Sequence, residues 1–323
     1  MPGLAPQKAP ILVTMSPQTS SLSANQTRFP RLGGYIALTK PRIIELLLVT
    51  TLPTMVVAKH ALPSIWLMLA TLLGGALAAG GANAINMYVD RDIDKVMHRT
   101  RNRPLVTGTL TPKAALRFAV TLEVLAFAEL WSAVNLLSAV LAVSATLFYV
   151  FVYTLWLKRR SKQNIVIGGA AGAVPVLVGW AAVTGSLSWP PIVLFAIIFI
   201  WTPPHFWALA VRYRDDYKAA NVPMMPVVAS LVRTTTEIVI YTVLLVATTF
   251  IFSAVAHMGI AYSVIAAVLG AIFLFMSIRL WHLARKERAT GKEAMRLFGY
   301  SITYLTALFV LMAGDVLVRN QLH

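Results

Sequence analysis

The sequence predicts an all-α membrane protein whose chain crosses the bilayer nine times around a central cavity. Of its 323 residues, 58% are hydrophobic, and the mean hydropathy of +0.72 is higher than that of water-soluble globular proteins. The apolar residues form runs of roughly 20, the length that an α-helix needs to cross the hydrocarbon layer. Because lipid offers no hydrogen bonds, such runs satisfy their backbone groups as helices.

The first 32 residues precede the predicted membrane domain. They are rich in Ser, Thr, Pro and Gln and contain no acidic residue, which is typical of a disordered tail. They lack the compact apolar core of a cleaved signal peptide, and their basic residues are few for a transit peptide. We therefore predict a disordered cytoplasmic tail over residues 1–32 and a transmembrane domain over 33–319. We expect a bacterial inner membrane in preference to a mitochondrial one.

Nine apolar runs then follow in order, each ending where charged residues, proline or glycine interrupt the pattern. The predicted spans are residues 40–58, 64–88, 113–132, 136–157, 164–184, 190–211, 235–256, 260–281 and 297–318. Lysine and arginine support this number, because short cytoplasmic loops hold an excess of them. With a cytoplasmic N-terminus and an external C-terminus, 26 of the 28 basic residues lie on the cytoplasmic side, and Lys59 and Arg319 are the exceptions. A missed or invented span would scramble this distribution.

The net charge of +16 is distributed as membrane-flanking charge rather than as a basic stripe on a soluble face. This distribution indicates the lipid bilayer as a partner and disfavours nucleic acid. The chain contains no cysteine, which excludes disulfides and thiolate metal sites. Any metal would therefore be held by oxygen or histidine ligands.

The end of the second span carries the strongest chemical signal. Asn86, Asp90 and Asp94 recur at every fourth residue, so on a helix they share one face, whereas Asp92 points away. Carboxylates stacked in this way repel each other, and a divalent cation removes the repulsion. Mg²⁺ is normally held by one or two carboxylates together with substrate phosphates. The motif therefore predicts Mg²⁺ as a cofactor, bound beside a diphosphate.

Basic residues near this motif support the diphosphate prediction, because guanidinium groups bind phosphate oxygens bidentately and remain charged. Some follow the motif directly, and others lie in cytoplasmic loops or at the start of the first span. The predicted diphosphate-binding set is Lys40, Arg42, Arg99, Arg103, Lys158 and Lys218. The alternative is a solvated loop in which aspartates and arginines merely pair with each other.

A second acidic cluster follows the sixth span and loosely echoes the first. The two strings are NMYVDRDIDKVMHRTRNRPL (86–105) and RYRDDYKAANVPMMP (212–226), and each cluster is followed by a proline that ends helical continuation. Two such half-sites could face one cavity, with Asp215 and Asp216 as further metal ligands. Because these residues are adjacent, only one can point squarely inward, and we expect Asp216 to do so. Salt pairing to Arg212 or Arg214 is the alternative.

Ionisable groups within the spans are further candidates, because their burial in lipid is costly. Glu123 lies in the third span and His205 in the sixth, within WTPPHFWALA, where Pro203 and Pro204 free backbone carbonyls. His205 is predicted either to contact substrate or to serve as a partner for such a carbonyl. Span five begins NIVIGGAAGAVPVLVGW, whose small residues permit close helix packing or a flat ligand against the backbone.

The first motif has the form N-x-x-x-D-x-x-x-D, and the chain resembles the UbiA-type intramembrane prenyltransferases over about residues 35–316. The strings DRDIDKVMHRTRNRPL, NIVIGGAAGAVPVLVGW, WTPPHFWALA and DDYKAANVPMMPVV are similar to those of the haem-farnesylating branch of that family. The resemblance implies transfer of a farnesyl group from farnesyl diphosphate to a vinyl group of haem b, which gives haem O for terminal oxidases. The second motif departs from the D-x-x-x-D of many relatives.

The resemblance also implies roles for individual residues. The catalytic set is Asp90, Asp94 and Asp216, and the candidates for a haem or prenyl pocket are Trp201, His205, Glu123 and Asn164. Association with a haem A synthase or with oxidase assembly factors is a partner hypothesis of the same origin. The nearest alternative is a related enzyme that acts on an aromatic quinone precursor. An ion-coupled transporter is the non-enzymatic alternative, although it would not need two metal-type clusters on one side.

Overall fold

The computed structural model describes the backbone of residues 30–321 and the side chains of that range except at residues 30, 42, 43 and 45–48. Within this range the chain is helical, with turns between the helices and no strand. Most of the predicted tail, residues 1–29, lies outside the described residues. The first helix begins at Pro30, just before the predicted end of the tail.

Thirteen α-helices make up the described chain. They are α1 (Pro30–Thr39), α2 (Pro41–Lys59), α3 (Ile65–Val89), α4 (Arg91–Val96), α5 (Pro112–Glu129), α6 (Leu136–Leu147), α7 (Asn164–Thr184), α8 (Trp189–Arg212), α9 (Arg214–Ala219), α10 (Met225–Val228), α11 (Leu231–Val255), α12 (Ile260–Arg285) and α13 (Gly291–Gln321). Two of them continue as π-helix, α5 through Leu130–Val134 and α6 through Phe148–Leu157.

Short polar side chains set the beginnings of several long helices. Ser64, Thr111, Asn135 and Ser230 each precede a helix and accept a hydrogen bond from a backbone N–H of its first turn. These bonds satisfy donors that have no partner inside the helix. Each helix therefore begins close to the start of the corresponding predicted span.

All nine predicted spans coincide with long helices in the described part of the chain. Seven of these helices are long and apolar enough to cross a membrane. The other two are α2 and α5, and α5 contains four charged residues. The all-α membrane architecture is confirmed. The number of nine spans and the orientation of the termini remain predictions.

The long helices form a closed ring. Helices that follow one another in the chain pack side by side, α13 returns to pack against α2, and α7 also packs against α2. One apolar cluster fills the half made of α7, α8, α11, α12 and α13, and a smaller one joins α3, α5, α6 and α7. Large apolar side chains such as Trp66, Val124 and Phe275 lie exposed on the outer surface, as expected for contact with lipid. A cavity remains inside the ring.

Candidate active site

The first acidic motif lies where α3 gives way to α4. Helix α3 ends at Val89, and Asp90 lies in the turn just before the short helix α4. The four-residue spacing is kept because the Asp94 N–H donates to the Asp90 carbonyl at 2.9 Å. The Asn86 Nδ2 donates to Asp90 Oδ2 at 2.7 Å. Asp90 and Asp94 are buried, whereas the Asp92 side chain is 59% exposed. The side-chain directions predicted from helical spacing are those observed.

Two cations neutralise the buried carboxylates. The Lys158 ammonium, at the end of the π-helical segment, forms an ion pair with Asp90. The Arg103 Nη1 lies 2.8 and 2.7 Å from the two carboxylate oxygens of Asp94. A buried carboxylate is tolerated only when it is paired and hydrogen-bonded, and these contacts give each aspartate such a partner.

A third cation approaches from the opposite wall. Lys40 lies in the turn between α1 and α2, where its backbone is left-handed with φ of 53°. Its Nζ donates to Asn83 Oδ1 at 3.3 Å and to Asn86 Oδ1 at 3.1 Å. Lys40 therefore lies with Arg103 and Lys158 at the polar end of the site.

The donor set of this cluster fits Mg²⁺. Asp90 Oδ1 is buried and makes no hydrogen bond, which leaves one oxygen available as a ligand. Within the described residues no group of three His, Cys, Asp or Glu side chains is placed to hold a metal ion. The protein alone therefore does not form a complete cage. One or two carboxylates completed by water and phosphate oxygens is the arrangement that Mg²⁺ favours.

The second acidic cluster packs against the segment that carries the first, and Asp216 is the acidic residue that bonds to it. Asp216 Oδ2 accepts a hydrogen bond of 3.1 Å from the backbone N–H of Arg99, whereas Asp215 is exposed. The alternative pairing to neighbouring arginines is not seen among the described side chains, and the Arg214 Nε instead donates to the Pro226 carbonyl at 2.7 Å. Asp216 is therefore the member of this pair that approaches the first motif.

The π-helical end of α6 shapes the wall between the clusters. In this segment the Lys158 N–H donates to the Tyr153 carbonyl at 2.8 Å, an i to i−5 bond that widens the helix. Tyr149 and Tyr153 stack with ring centroids 5.2 Å apart. A Cβ at Gly168 would lie 2.3 Å from the Tyr153 ring, so glycine is required there for α7 to approach. The close-packing explanation of the glycine-rich span therefore holds at Gly168.

One cavity of about 770 Å³ connects the charged cluster with an aromatic region. Its polar end is lined by Lys40, Asn83, Asn86, Asp94, Arg99, Arg103 and Lys158. Its other end is lined by Trp201, His205, Phe206 and Phe298, with the small residues Gly169 and Gly172 of α7 nearby in the wall. This volume lies within the roughly 300–1,000 Å³ that is usual for small-molecule sites.

Several predicted site residues of the described chain do not line this cavity, namely Asp90, Asp215, Asp216, Glu123, Asn164 and Lys218. Glu123 accepts a hydrogen bond of 3.2 Å from Thr146, which itself lines the cavity. Asn164 is buried behind Lys158 and donates to its carbonyl at 3.4 Å. Lys218 is exposed on α9, and the Arg42 side chain lies outside the described residues. Lys40, Arg103 and Lys158 line the cavity and Lys218 does not, so the first three are the better candidates for contact with a diphosphate.

Many residues that line the cavity were not predicted from the sequence, among them Asn83, Tyr149 and Tyr153 beside the charged cluster. Asn83 could have been predicted from helical spacing, because it precedes Asn86 by three residues and therefore lies on the same helix face. No sequence pattern predicts Tyr149 and Tyr153 as site residues, because they lie in an apolar span and their side-chain directions depend on the π-helical register.

A model of the UbiA prenyltransferase family matches residues 47–302, which is more than half of the chain. The chain belongs to the UbiA prenyltransferase family. Within it, the chain is similar to curated proteins named Protoheme IX farnesyltransferase. The one from Renibacterium salmoninarum is 51% identical over 316 residues, covering 96% of this chain and 99% of that protein. The one from Parafrankia is 54% identical over 288 residues, covering 89% and 91%. These names confirm the resemblance to the haem-farnesylating branch.

Solved structures share the same fold. A structure described as digeranylgeranylglyceryl phosphate synthase has a TM-score of 0.72 at 16% identity and covers 88% of this chain and 98% of its own. A UbiA homologue from Archaeoglobus fulgidus, bound to DMAPP and Mg²⁺, has a TM-score of 0.63 at 20% identity and covers 86% and 99%. At these identities the likeness shows the fold alone.

Proposed function

We propose that this chain transfers a farnesyl group from farnesyl diphosphate to a vinyl group of haem b, forming haem O and releasing diphosphate. The observation that supports this most is the single cavity that joins a cluster of carboxylates and cations to an aromatic, apolar region. A prenyl diphosphate needs both environments, one for its charged head and one for its chain. The shared name of relatives about half identical to this chain indicates the acceptor and the donor.

The reaction requires charge stabilisation first. Cleavage of the bond between the farnesyl C1 and the diphosphate oxygen places negative charge on the leaving group, and fixed cations stabilise that charge. Arg103 and Lys158 line the cavity, and their side chains are only 19% and 15% exposed. We expect both to shift from the aspartates towards phosphate oxygens when the substrate binds. Lys40 adds a third positive charge, because an anion beside it favours its protonated form.

Residues of the first motif would hold the cofactor. Asp90 and Asp94, with the amide oxygen of Asn86, are the groups that would bind Mg²⁺, and Asp216 would contribute from the second cluster. When bound, Mg²⁺ supplies positive charge that polarises the diphosphate. The requirement for Mg²⁺ is part of this proposal.

The remaining steps take place beside the aromatic wall. The terminal vinyl carbon of haem b attacks the allylic cation, which forms the new carbon–carbon bond and moves the positive charge to the vinyl carbon attached to the porphyrin. Water adds to that carbon and releases a proton, which completes the hydroxyethyl group. Tyr149 and Tyr153 line the cavity next to the carboxylates, and aromatic rings attract cations of this kind.

The test is direct. Membranes containing the protein are incubated with haem b, farnesyl diphosphate and Mg²⁺, with a chelator in a parallel sample, and the haem is analysed by mass. We expect a farnesyl and water adduct that the chelator abolishes. Asp90→Ala and Asp94→Ala should both lose the product while membrane insertion persists. Asp92→Ala is the matched control, because this exposed residue of the same segment should retain activity. Full haem O formation by both buried-site variants would refute the site assignment.

The cellular location is predicted from the apolar helices and from the relatives. The seven apolar helices make this a multi-pass membrane protein, and its similar relatives are bacterial. We place it in the bacterial inner membrane. Immunoblotting of separated inner and outer membranes would test that placement, and recovery in the outer membrane would contradict it.

A further inference from the structure

The apolar end of the cavity contains a histidine that the steps above do not use. His205 on α8 is 6% exposed, and it lines the cavity. The ring of Trp201 stacks on it with centroids 4.1 Å apart, and the ring of Phe298 on α13 stacks with centroids 4.5 Å apart. Two rings cannot occupy the same face of an imidazole at these distances. The imidazole is therefore clamped on both faces, and only its edge can meet a ligand.

Ser301 determines which nitrogen remains available. The His205 Nδ1 lies 2.7 Å from Ser301 Oγ, and that hydroxyl donates to the Phe298 carbonyl at 2.6 Å. A hydroxyl has a single proton to donate. Because Ser301 gives its proton to the carbonyl, its oxygen accepts from Nδ1, which must carry the ring proton. This tautomer leaves a lone pair on Nε2.

The partner is itself held in place. The Trp201 Nε1 donates to the Ser301 carbonyl at 2.8 Å, so the ring that stacks on His205 also anchors the residue that orients it. The sequence left two alternatives for His205, contact with substrate or a hydrogen bond to a carbonyl freed by Pro203 and Pro204. Its hydrogen-bond partner is instead a hydroxyl on another helix, and this arrangement leaves the second nitrogen unused.

We propose that Nε2 of His205 is an axial ligand of the haem b iron, an inference that rests on the proposed function. A neutral imidazole is the commonest protein ligand for metals, and histidine is a frequent ligand of haem iron. A ligating histidine usually donates its other N–H to a fixed outer partner, as Nδ1 does here. Ligation makes His205 a positioning residue, because it fixes the iron and thereby the distance of the vinyl groups from the diphosphate end.

The surroundings suit a flat macrocycle. Gly172 on α7 lines the same cavity, and a Cβ built there would meet no atom within 4 Å. His205 lies seven residues before the end of α8 at Arg212, about 10 Å along the helix axis. An iron bound at this depth leaves space between the porphyrin and the acidic clusters for the reacting end of the farnesyl chain.

The experiment uses purified protein in detergent and two ligands, haem b and metal-free protoporphyrin IX. For the wild type we expect an absorption spectrum of histidine-ligated haem. For His205→Gly we expect at least tenfold weaker haem binding, unchanged binding of the metal-free porphyrin, and partial recovery of the spectrum when imidazole is added. His98→Ala, which removes an exposed histidine, should match the wild type. Haem binding by His205→Gly with wild-type affinity and spectrum would overturn the inference.

A second variant keeps the test open if His205→Gly does not fold. Ser301→Ala removes the outer partner, and we expect an altered haem spectrum with weaker binding, within the roughly 10–100-fold loss seen for such partners. An unaltered spectrum would overturn the inference. Farnesyl transfer by the wild type is measured in the same preparation. Wild-type transfer without a histidine-ligated spectrum refutes only the ligand assignment, whereas absence of both transfer and haem binding refutes the proposed function as well.

Discussion

Replacement of Lys158 by Met tests the energetic coupling between the buried carboxylates and their cations. The Asp90 side chain is 0% exposed, and among the described residues only Lys158 and the partly exposed Arg159, at 3.9 Å, lie within ion-pair distance of it. Methionine keeps the apolar stem of lysine and removes the charge. Removal of one partner from a buried pair costs about 3–5 kcal/mol, because the remaining charge stays buried and unpaired. The hydrogen bond from Asn86 remains, so we expect the lower end of that range.

The assay is thermal unfolding in detergent without divalent cations. For a chain of 323 residues, a cost of about 3 kcal/mol corresponds to a fall of roughly 4 °C in Tm. The double variant Lys158→Met with Asp90→Asn should recover most of the loss, since no unpaired charge is left. Mg²⁺ should raise the Tm of the single variant more than that of the double variant. Lys162→Met removes an exposed lysine four residues away and serves as the control. The reasoning fails if the single variant is as stable as the wild type, or if the double variant is no more stable than the single one.

Three further predictions follow from the same geometry. Gly172→Leu should fill open cavity space and raise the KM for haem at least tenfold with little change in Tm, whereas Gly299→Leu, which has equal space but does not line the cavity, should not change KM. Asp216→Ala should lower kcat/KM for farnesyl diphosphate more than Asp215→Ala does, and equal losses would contradict a role for the contact between Asp216 and the first motif's segment. The Arg159 side chain lowers the pKa of Asp92 to about 2, so this exposed pair adds stability above the ordinary carboxyl pKa of about 4 and loses it as pH falls through 2. Asp92→Asn should therefore change the free energy of unfolding by less than about 1 kcal/mol, equally at pH 6 and pH 8, in chemical unfolding experiments.

Local periodicity explains which parts of the site were predictable. The Asn86, Asp90 and Asp94 stripe depends only on residues four apart, so the turn between α3 and α4 does not disturb it. The clustering of basic residues similarly predicted which loops lie on one side, because that rule concerns the chain order of charges.

The rest of the site depends on contacts between distant segments. The position of Tyr153 follows from a π-helical register that a pattern with 3.6 residues per turn does not encode. Asp215 and Asp216 could not be distinguished by spacing, and the backbone of Arg99, more than a hundred residues earlier, selects Asp216. Sequence alone also did not distinguish Lys158, which pairs with a buried carboxylate, from Lys218, which is exposed.

The charge balance of the cluster explains how a highly charged substrate can enter a mostly apolar cavity. Asp90 and Asp94 are each paired with a cation, and Lys40 and Arg99 add further positive charge at the same end of the cavity, so an anion meets no net repulsion there. When Mg²⁺ and diphosphate bind together, carboxylates and cations can exchange partners without leaving an unpaired charge in the interior, which limits the desolvation cost. The excess negative charge of the diphosphate remains, and Lys40 at the same end of the cavity supplies a further cationic group to balance it. The burial of Lys40 is unfavourable for its charged form before binding and becomes an advantage when the anion arrives, because the attraction is then poorly screened.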